Sequence, residues 1–285
     1  MLRAYLLAHP AGHSLSPFMH DAAFAAVGID ARYRALDVAP ADLASVVEGF
    51  RSAPGFVGAN VTVPHKRAVM EFLDQVDGTA TAIGAVNTIE RLGGPGGRLV
   101  GRNTDADGFL GALDELTPAH VGRVLLLGAG GSARAVAWAM LSRGATVSVL
   151  NRSRERAEEL VEDVGLAAGV ALGRLRVCEP DAAQAALAAC DLLVNSTSVG
   201  MVGGPAPATS PAPGPLSTMR QGAVVMDLVY RPAVTPLLRL AGEAGIAHVN
   251  GLPMLVYQGA AAFGLWTGRP APVEAMRSAV VAALR

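Results

Sequence analysis

The run "VLLLGAGGSARA", Val124–Ala135, sets four apolar residues directly against a glycine cluster and follows the cluster with helix-forming residues. A buried strand, a sharp turn and a helix in that order restrict this part of the chain to an α/β layer with parallel strands. In such a turn Gly128 permits the sharp bend, and Gly130 lets the backbone approach a pyrophosphate with no side chain intervening. Gly131 and Ala133 allow the helix to pack closely. Ala129 and Ser132 complete the loop, and the helix N-terminus offers free N–H groups and a positive dipole end to phosphates.

The pattern repeats downstream. Ser132–Arg143 reads as a helix, "VSVLN" as the next strand, and Asp191–Asn195 and Ala223–Leu228 as further strands. That succession is a doubly wound, Rossmann-type dinucleotide-binding sheet. The first third also alternates. Strands are expected at Leu2–Ala8, Tyr33–Val38 and Phe56–Val63, with helices at Pro17–Val27 and Ala41–Arg51. "GGPGG", Gly93–Gly97, reads as a tight loop between antiparallel strands. The segments Met254–Trp266 and Val273–Leu284 have helical period, and the proline-rich Gly203–Pro215 reads as an exposed, semi-rigid loop. The fold class is therefore α/β, and the length permits one large domain or two of ordinary size.

The 285 residues carry 23 basic and 24 acidic side chains, which leaves no electrostatic footprint for nucleic acid. No apolar run reaches the ~18–20 residues of a membrane span, and the first residues lack the form of a secretory signal. Two cysteines, Cys178 and Cys190, make neither a disulfide framework nor a zinc site. His9 and His13 are four apart, but Pro10 and Gly12 break any helix between them, so no metal is expected. A small-molecule ligand and a cytoplasmic location fit best, and a homodimer is left open.

About twenty residues after the glycine loop an NAD-binding sheet usually places an acidic residue for the ribose hydroxyls. Here the strand ends "VLNRSRERAEE". Asn151 and Arg152 stand where a carboxylate would repel a 2′-phosphate, and Arg154 and Arg156 follow within a turn. Guanidinium forks suit a phosphate in geometry and charge, so NADP(H) is the expected cofactor. Arg154 is expected to matter least of the three.

Polar groups also gather at element ends in the first third: Ser14, Ser16, Asn60, Thr62, Lys66, Asn87 and Asp105. Open α/β sheets bind ligands at the carboxyl ends of their strands, and hydroxyl and amide groups suit a carboxylate and ring hydroxyls. Singly, each has a plain explanation. Ser16 before Pro17 reads as a helix N-cap, Asp105 as a cap of the helix after it, and His65 as a neighbour able to tune Lys66.

Taken together, "HSLSPFMHD", "GANVTVPHK", "GAVNT", "GRNTDADG", "GAGGSARA", "NRS", "NSTSVGM", "MDLVYRP" and "NGLPMLVYQGA" resemble the NADP-dependent shikimate dehydrogenases, in that family's order and over nearly the whole chain. Asp21, where the family more often has Asn, and the length of Gly203–Pro215 depart from the pattern. The resemblance implies a substrate-binding and catalytic domain over 1–104, completed by helices in 252–285, and an NADP-binding Rossmann domain over 105–251. It implies that Ser14 and Ser16 take the substrate carboxylate, and that Thr62, Asn87 and Gln258 hold hydroxyls. Lys66 and Asp105 are implied as the catalytic pair, Tyr230 as a substrate contact, Thr197, Gly251 and Met254 as cofactor contacts, and Tyr230 and Met254 as lining the nicotinamide side. The implied reaction is reversible reduction of 3-dehydroshikimate in aromatic biosynthesis. Hydride transfer to a ring ketone leaves an alkoxide-like oxygen, which a lysine ammonium can protonate and stabilise. How Lys66 and Asp105 divide the proton stays open at this point. A quinate or dual quinate/shikimate dehydrogenase is the nearest alternative, and a non-catalytic NADP-binding regulator is a more distant one. The intact Ser14/Ser16 pair and the Asn151–Arg152 step speak against the first. The presence of both Lys66 and Asp105 speaks against the second.

Overall fold

The computed structural model describes residues 1–284 except His13, Pro118, Val170 and Leu172. In chain order the elements begin with β1 (Leu2–Ala8), α1 (Ser16–Ala26), β2 (Ala31–Asp37), α2 (Leu43–Ser52), β3 (Phe56–Val61) and β4 (Gln75–Val76). They continue with α3 (Gly78–Ile83), β5 (Thr88–Leu92), β6 (Arg98–Arg102), α4 (Asp105–Leu116), β7 (Arg123–Leu127), α5 (Gly131–Ser142) and β8 (Thr146–Leu150). Then come α6 (Arg154–Ala168), β9 (Leu175–Val177), α7 (Ala183–Ala189), β10 (Leu192–Asn195), β11 (Val224–Asp227), α8 (Pro236–Glu243), β12 (Ala247–Val249), α9 (Leu252–Thr267) and α10 (Val273–Ala283). The chain divides into two compact units, Met1–Gly108 with Leu255–Arg285, and Phe109–Met254. Among the described residues no helix is long and apolar enough to cross a membrane.

The first unit holds a mixed sheet in the order β2-β1-β3-β5-β6-β4. β1 pairs in parallel with β2 and β3, while β5 runs antiparallel to both β3 and β6. The β5–β6 connection turns through Gly93, Gly94 and Gly96, all at positive φ, as the glycine-rich loop predicts. Helix α2 buries Leu43, Val47 and Phe50, one helical stripe, against Leu7, Phe56 and Ala59 of the sheet. It starts later than its period suggests, because Pro40–Asp42 forms a 3₁₀ turn first. β3 ends at Val61 and not at Val63, since Pro64 has no N–H to give a ladder. Ser16 does not cap α1. It is the first helical residue, and the Ser14 hydroxyl accepts its N–H at 3.2 Å.

Glycine is required at Gly58 in the middle of β3. A Cβ there would lie 2.0 Å from Nε1 of Trp266, which donates to the Ile89 carbonyl at 3.0 Å. Gly58→Ala is therefore expected to push the α9 indole off the sheet and to cost about 1–3 kcal/mol, read as a fall in thermal midpoint. An unchanged midpoint would mean that α9 repacks freely.

The second unit is an all-parallel sheet in the order β9-β8-β7-β10-β11-β12. This is the doubly wound strand order, with its switch point between β7 and β10. Its central strands read as unbroken apolar runs because helices bury both faces. The proline-rich segment differs from expectation. Ser210–Gly214 is half-buried, and Ala212 packs on the core of Leu125, Leu187 and Leu216.

Candidate functional site

In the first unit four polar side chains from separate stretches converge. Lys66 lies in the turn after β3 and Asp105 opens α4, and both are buried, at 9 % and 4 % exposed. Asp105 does not cap its helix. Asn103 does so, its Oδ1 accepting the Asp105 N–H at 3.0 Å while its Nδ2 donates to the Ala85 carbonyl at 2.8 Å. The Asp105 carboxylate is thereby left to side chains. Its Oδ2 accepts from the Lys66 ammonium, and its Oδ1 accepts from Asn87 Nδ2 at 2.7 Å. The same Asn87 nitrogen reaches Gln258 Oε1 at 3.4 Å, and Gln258 is itself tied to the Leu255 carbonyl at 2.8 Å. The Lys66 carbonyl accepts the Val86 N–H at 2.7 Å, which locks the turn against the strand entry that carries Asn87. A buried ammonium beside a fixed carboxylate can deliver a proton and stabilise a forming alkoxide.

Ser16 and Asn60 are buried and Ser14 and Thr62 half-buried. Thr62 is positioned through its backbone, its N–H donating to Leu7 at 2.9 Å and its carbonyl accepting from His65 at 2.8 Å. His65 is not oriented toward Lys66, because its Nε2 donates to the Val38 carbonyl at 2.8 Å. His13 lies outside the described residues. Asp21 accepts the Tyr33 N–H at 2.8 Å. Tyr33, Asn103 and Thr88 belong to the site's polar framework although sequence reasoning gave them no role.

His20 on α1 is fully buried, stacks on Tyr33 with centroids 4.4 Å apart, and among the described residues has no hydrogen-bond partner on either ring nitrogen. Burial lowers its pKa from 6.5 to about 3. Between pH 6.5 and 3 the unfolded chain therefore binds a proton that the folded chain refuses, so stability falls as pH drops through that window. The expected slope from this residue is about 1.4 kcal/mol per pH unit. His20→Phe should flatten the decline in denaturant titrations below pH 6, and an unchanged slope would remove His20 as its source.

In the second unit Gly128 leaves β7 at φ +108, where a Cβ would lie 2.5 Å from Ser196 Oγ and 3.1 Å from Thr197 Cγ2. The ends of β7 and β10 therefore meet at the switch point, where α/β sheets take their ligands. Thr197 is fixed there by its hydroxyl, which donates to Asn195 Oδ1 at 2.7 Å. Gly130 occupies the N-cap of α5 with no side-chain cap, and a Cβ on it would meet nothing within 4 Å. Gly131 and Ser132 form the first turn, and Ala133 is fully buried. A glycine cradle opening on uncapped helix N–H groups fits a pyrophosphate.

At the end of β8, Asn151 Nδ2 donates to the Ser153 carbonyl at 2.8 Å, and Ser153 caps α6. Arg154 is consumed by Glu158 at 2.7 Å and Glu179 at 2.8 Å. Among the described residues Arg152 and Arg156 form no ion pair, and both are exposed. Tyr230 follows β11 half-buried, and burial pushes its phenol up. Gly251 has a packing reason, since a Cβ there would lie 2.0 Å from the Leu228 carbonyl oxygen. Met254 is buried in the first turn of α9.

Three family profiles match the chain. The shikimate dehydrogenase substrate binding domain covers residues 6–89, shikimate/quinate 5-dehydrogenase 112–202, and the shikimate 5'-dehydrogenase C-terminal domain 251–281. Shikimate dehydrogenase (NADP(+)) of Symbiobacterium thermophilum is 48% identical, with 98% of this chain and 93% of that protein covered. The crystal structure of shikimate 5-dehydrogenase from Thermus thermophilus, in complex with NADP(H) and shikimate, is 40% identical with TM-score 0.86 and covers 100% of both chains. Quinate dehydrogenase from Corynebacterium glutamicum in complex with NAD is 31% identical, with TM-score 0.87 and 99% of both chains covered. Profiles spread along the chain, together with near-complete coverage at these identities, mean that the chain belongs to the shikimate dehydrogenase family.

Proposed function

We propose that the protein catalyses the NADPH-dependent, reversible reduction of 3-dehydroshikimate to shikimate, in the cytoplasm. The buried Lys66–Asp105 pair, held by Asn87 and Gln258 in one unit, carries the reading. Bound NADPH supplies the hydride. Lys66 gives its proton to the ketone oxygen as the carbon is reduced, so the product is the neutral alcohol and the lysine is left to be reprotonated. Asp105 fixes the ammonium and orients a substrate hydroxyl. Thr62, Asn87 and Gln258 offer hydroxyl and amide groups to the remaining ring oxygens, and Ser14 and Ser16 offer hydroxyls to the carboxylate. We assign the substrate to the first unit and the cofactor to the second, with Gly128–Ala133 around the pyrophosphate and Asn151, Arg152 and Arg156 at the 2′-phosphate. Thr197, Gly251 and Met254 are proposed for the nicotinamide side, with Tyr230 toward the substrate.

The test is NADPH oxidation with 3-dehydroshikimate against 3-dehydroquinate, repeated with NADH. Turnover with 3-dehydroshikimate and NADPH well above the other three combinations supports the proposal. A preference for 3-dehydroquinate and NADH would make the protein a quinate dehydrogenase.

A further inference from the structure

Behind Asn87 the first unit holds a row of buried polar side chains that no step above uses. Tyr33 on β2, Asn60 on β3 and Thr88 on β5 are 3 %, 5 % and 0 % exposed. Two backbone groups decide which atom is which. The Asn87 carbonyl can only accept, so the Asn60 atom 3.3 Å from it is the amide nitrogen. The Thr104 N–H can only donate, so the Asn87 atom 2.8 Å from it is the amide oxygen.

With both amides fixed, the remaining hydrogens follow. Thr88 Oγ1 lies 3.1 Å from Asn60 Nδ2 and 3.0 Å from Asn87 Oδ1, so it accepts from the first and donates to the second. A longer contact to Thr104 Oγ1 at 3.2 Å competes for the same hydrogen. The Tyr33 phenol, 2.9 Å from Asn60 Oδ1, donates. Asn87 Nδ2 then donates to Asp105. One hydrogen from each of Tyr33, Asn60, Thr88 and Asn87 runs along the row toward that carboxylate, while the second Asn60 amide hydrogen goes to the Asn87 carbonyl and the second Asn87 amide hydrogen to Thr104 Oγ1 at 3.0 Å. Hydrogen bonds aligned in one direction in a low-dielectric interior strengthen one another. At the far end, burial pushes the Tyr33 phenol well above its ordinary value.

We infer that Tyr33 and Thr88 are positioning residues: the row fixes the Asn87 amide so that it holds Asp105 against Lys66. The inference rests on Lys66 and Asp105 being the reacting pair.

Thr88→Val keeps the branched shape and removes the hydroxyl. It is expected to lower kcat about three- to tenfold, the worth of one neutral hydrogen bond, with KM for 3-dehydroshikimate held within about twofold. Thr88→Ser restores kcat. Tyr33→Phe also lowers kcat, and the double variant Tyr33→Phe/Thr88→Val loses no more than the larger single one, because both cut the same row. An unchanged kcat in Thr88→Val, a loss that serine does not restore, or losses that multiply would overturn the inference. A second readout needs no substrate and stands even if the wild-type protein reduces a different ketone. The Asn87 side-chain amide resonances should shift and exchange faster with solvent in Thr88→Val but not in Thr88→Ser. Resonances identical in all three proteins would also overturn it.

Discussion

Lys66→Ala is expected to lower turnover by about 10²–10⁴-fold, the range for a positioned acid. The fold responds as well, because Asp105 stays buried with its counter-charge gone. Breaking a buried pair from one side costs about 3–5 kcal/mol, although the Asn87 amide remains on the carboxylate and moderates this. Asp105→Asn should also cut turnover. In the double variant Lys66→Met/Asp105→Asn neither buried charge remains, so the thermal midpoint recovers toward wild type while turnover does not. The two turnover losses should not multiply, since paired groups act as a unit. Near wild-type turnover in Lys66→Ala would end the assignment, and cleanly multiplying losses would show that the pair is not coupled.

The cofactor variants come next in size. Removing one charged hydrogen bond to a phosphate costs about 1.5–3 kcal/mol, so Arg152→Ala and Arg156→Ala should each raise the Michaelis constant for NADPH roughly ten- to hundredfold. NADH carries no phosphate there, and its weak use should be unchanged. Arg154→Ala is the built-in control, because its guanidinium is already committed to Glu158 and Glu179. Equal losses for NADPH and NADH in Arg152→Ala would mean that the residue supports the fold and does not read the phosphate.

The strand–glycine–helix step at Gly128 was legible because a turn of that sharpness leaves few residue choices. The central parallel strands were legible because burial on both faces makes them largely apolar, whereas the three-residue edge strands β9 and β12 were not. Lys66, Asn87 and Asp105 were visible because they interrupt the pattern at element ends. Of the row behind them only Asn60 stood out. A polar residue inside a strand reads as solvent-facing under a period of two, yet β2 is buried at Tyr33 and β5 at Thr88. Only the tertiary fold brings Tyr33, Asn60 and Thr88 together across 27 and 28 residues. Helix starts slipped for a local reason. Near α1 and α4 several short polar side chains compete for the first helical N–H groups, and sequence does not say that Ser14 and Asn103 take those of Ser16 and Asp105.

The first unit is built from two stretches of chain, Met1–Gly108 and Leu255–Arg285, and the second from one. During synthesis, strands β1–β6 are complete long before α9 and α10 exist. Helix α1 must wait for α10, on which it packs, and His20 must wait for the Trp266 ring 5.2 Å from it. At roughly 5–20 residues per second the intervening stretch takes on the order of ten seconds to emerge. For that interval Lys66 and Asp105 are already on the nascent chain, but the Gln258 that meets their partner Asn87 has not been made, while the contiguous unit has every residue it needs as soon as Met254 is added.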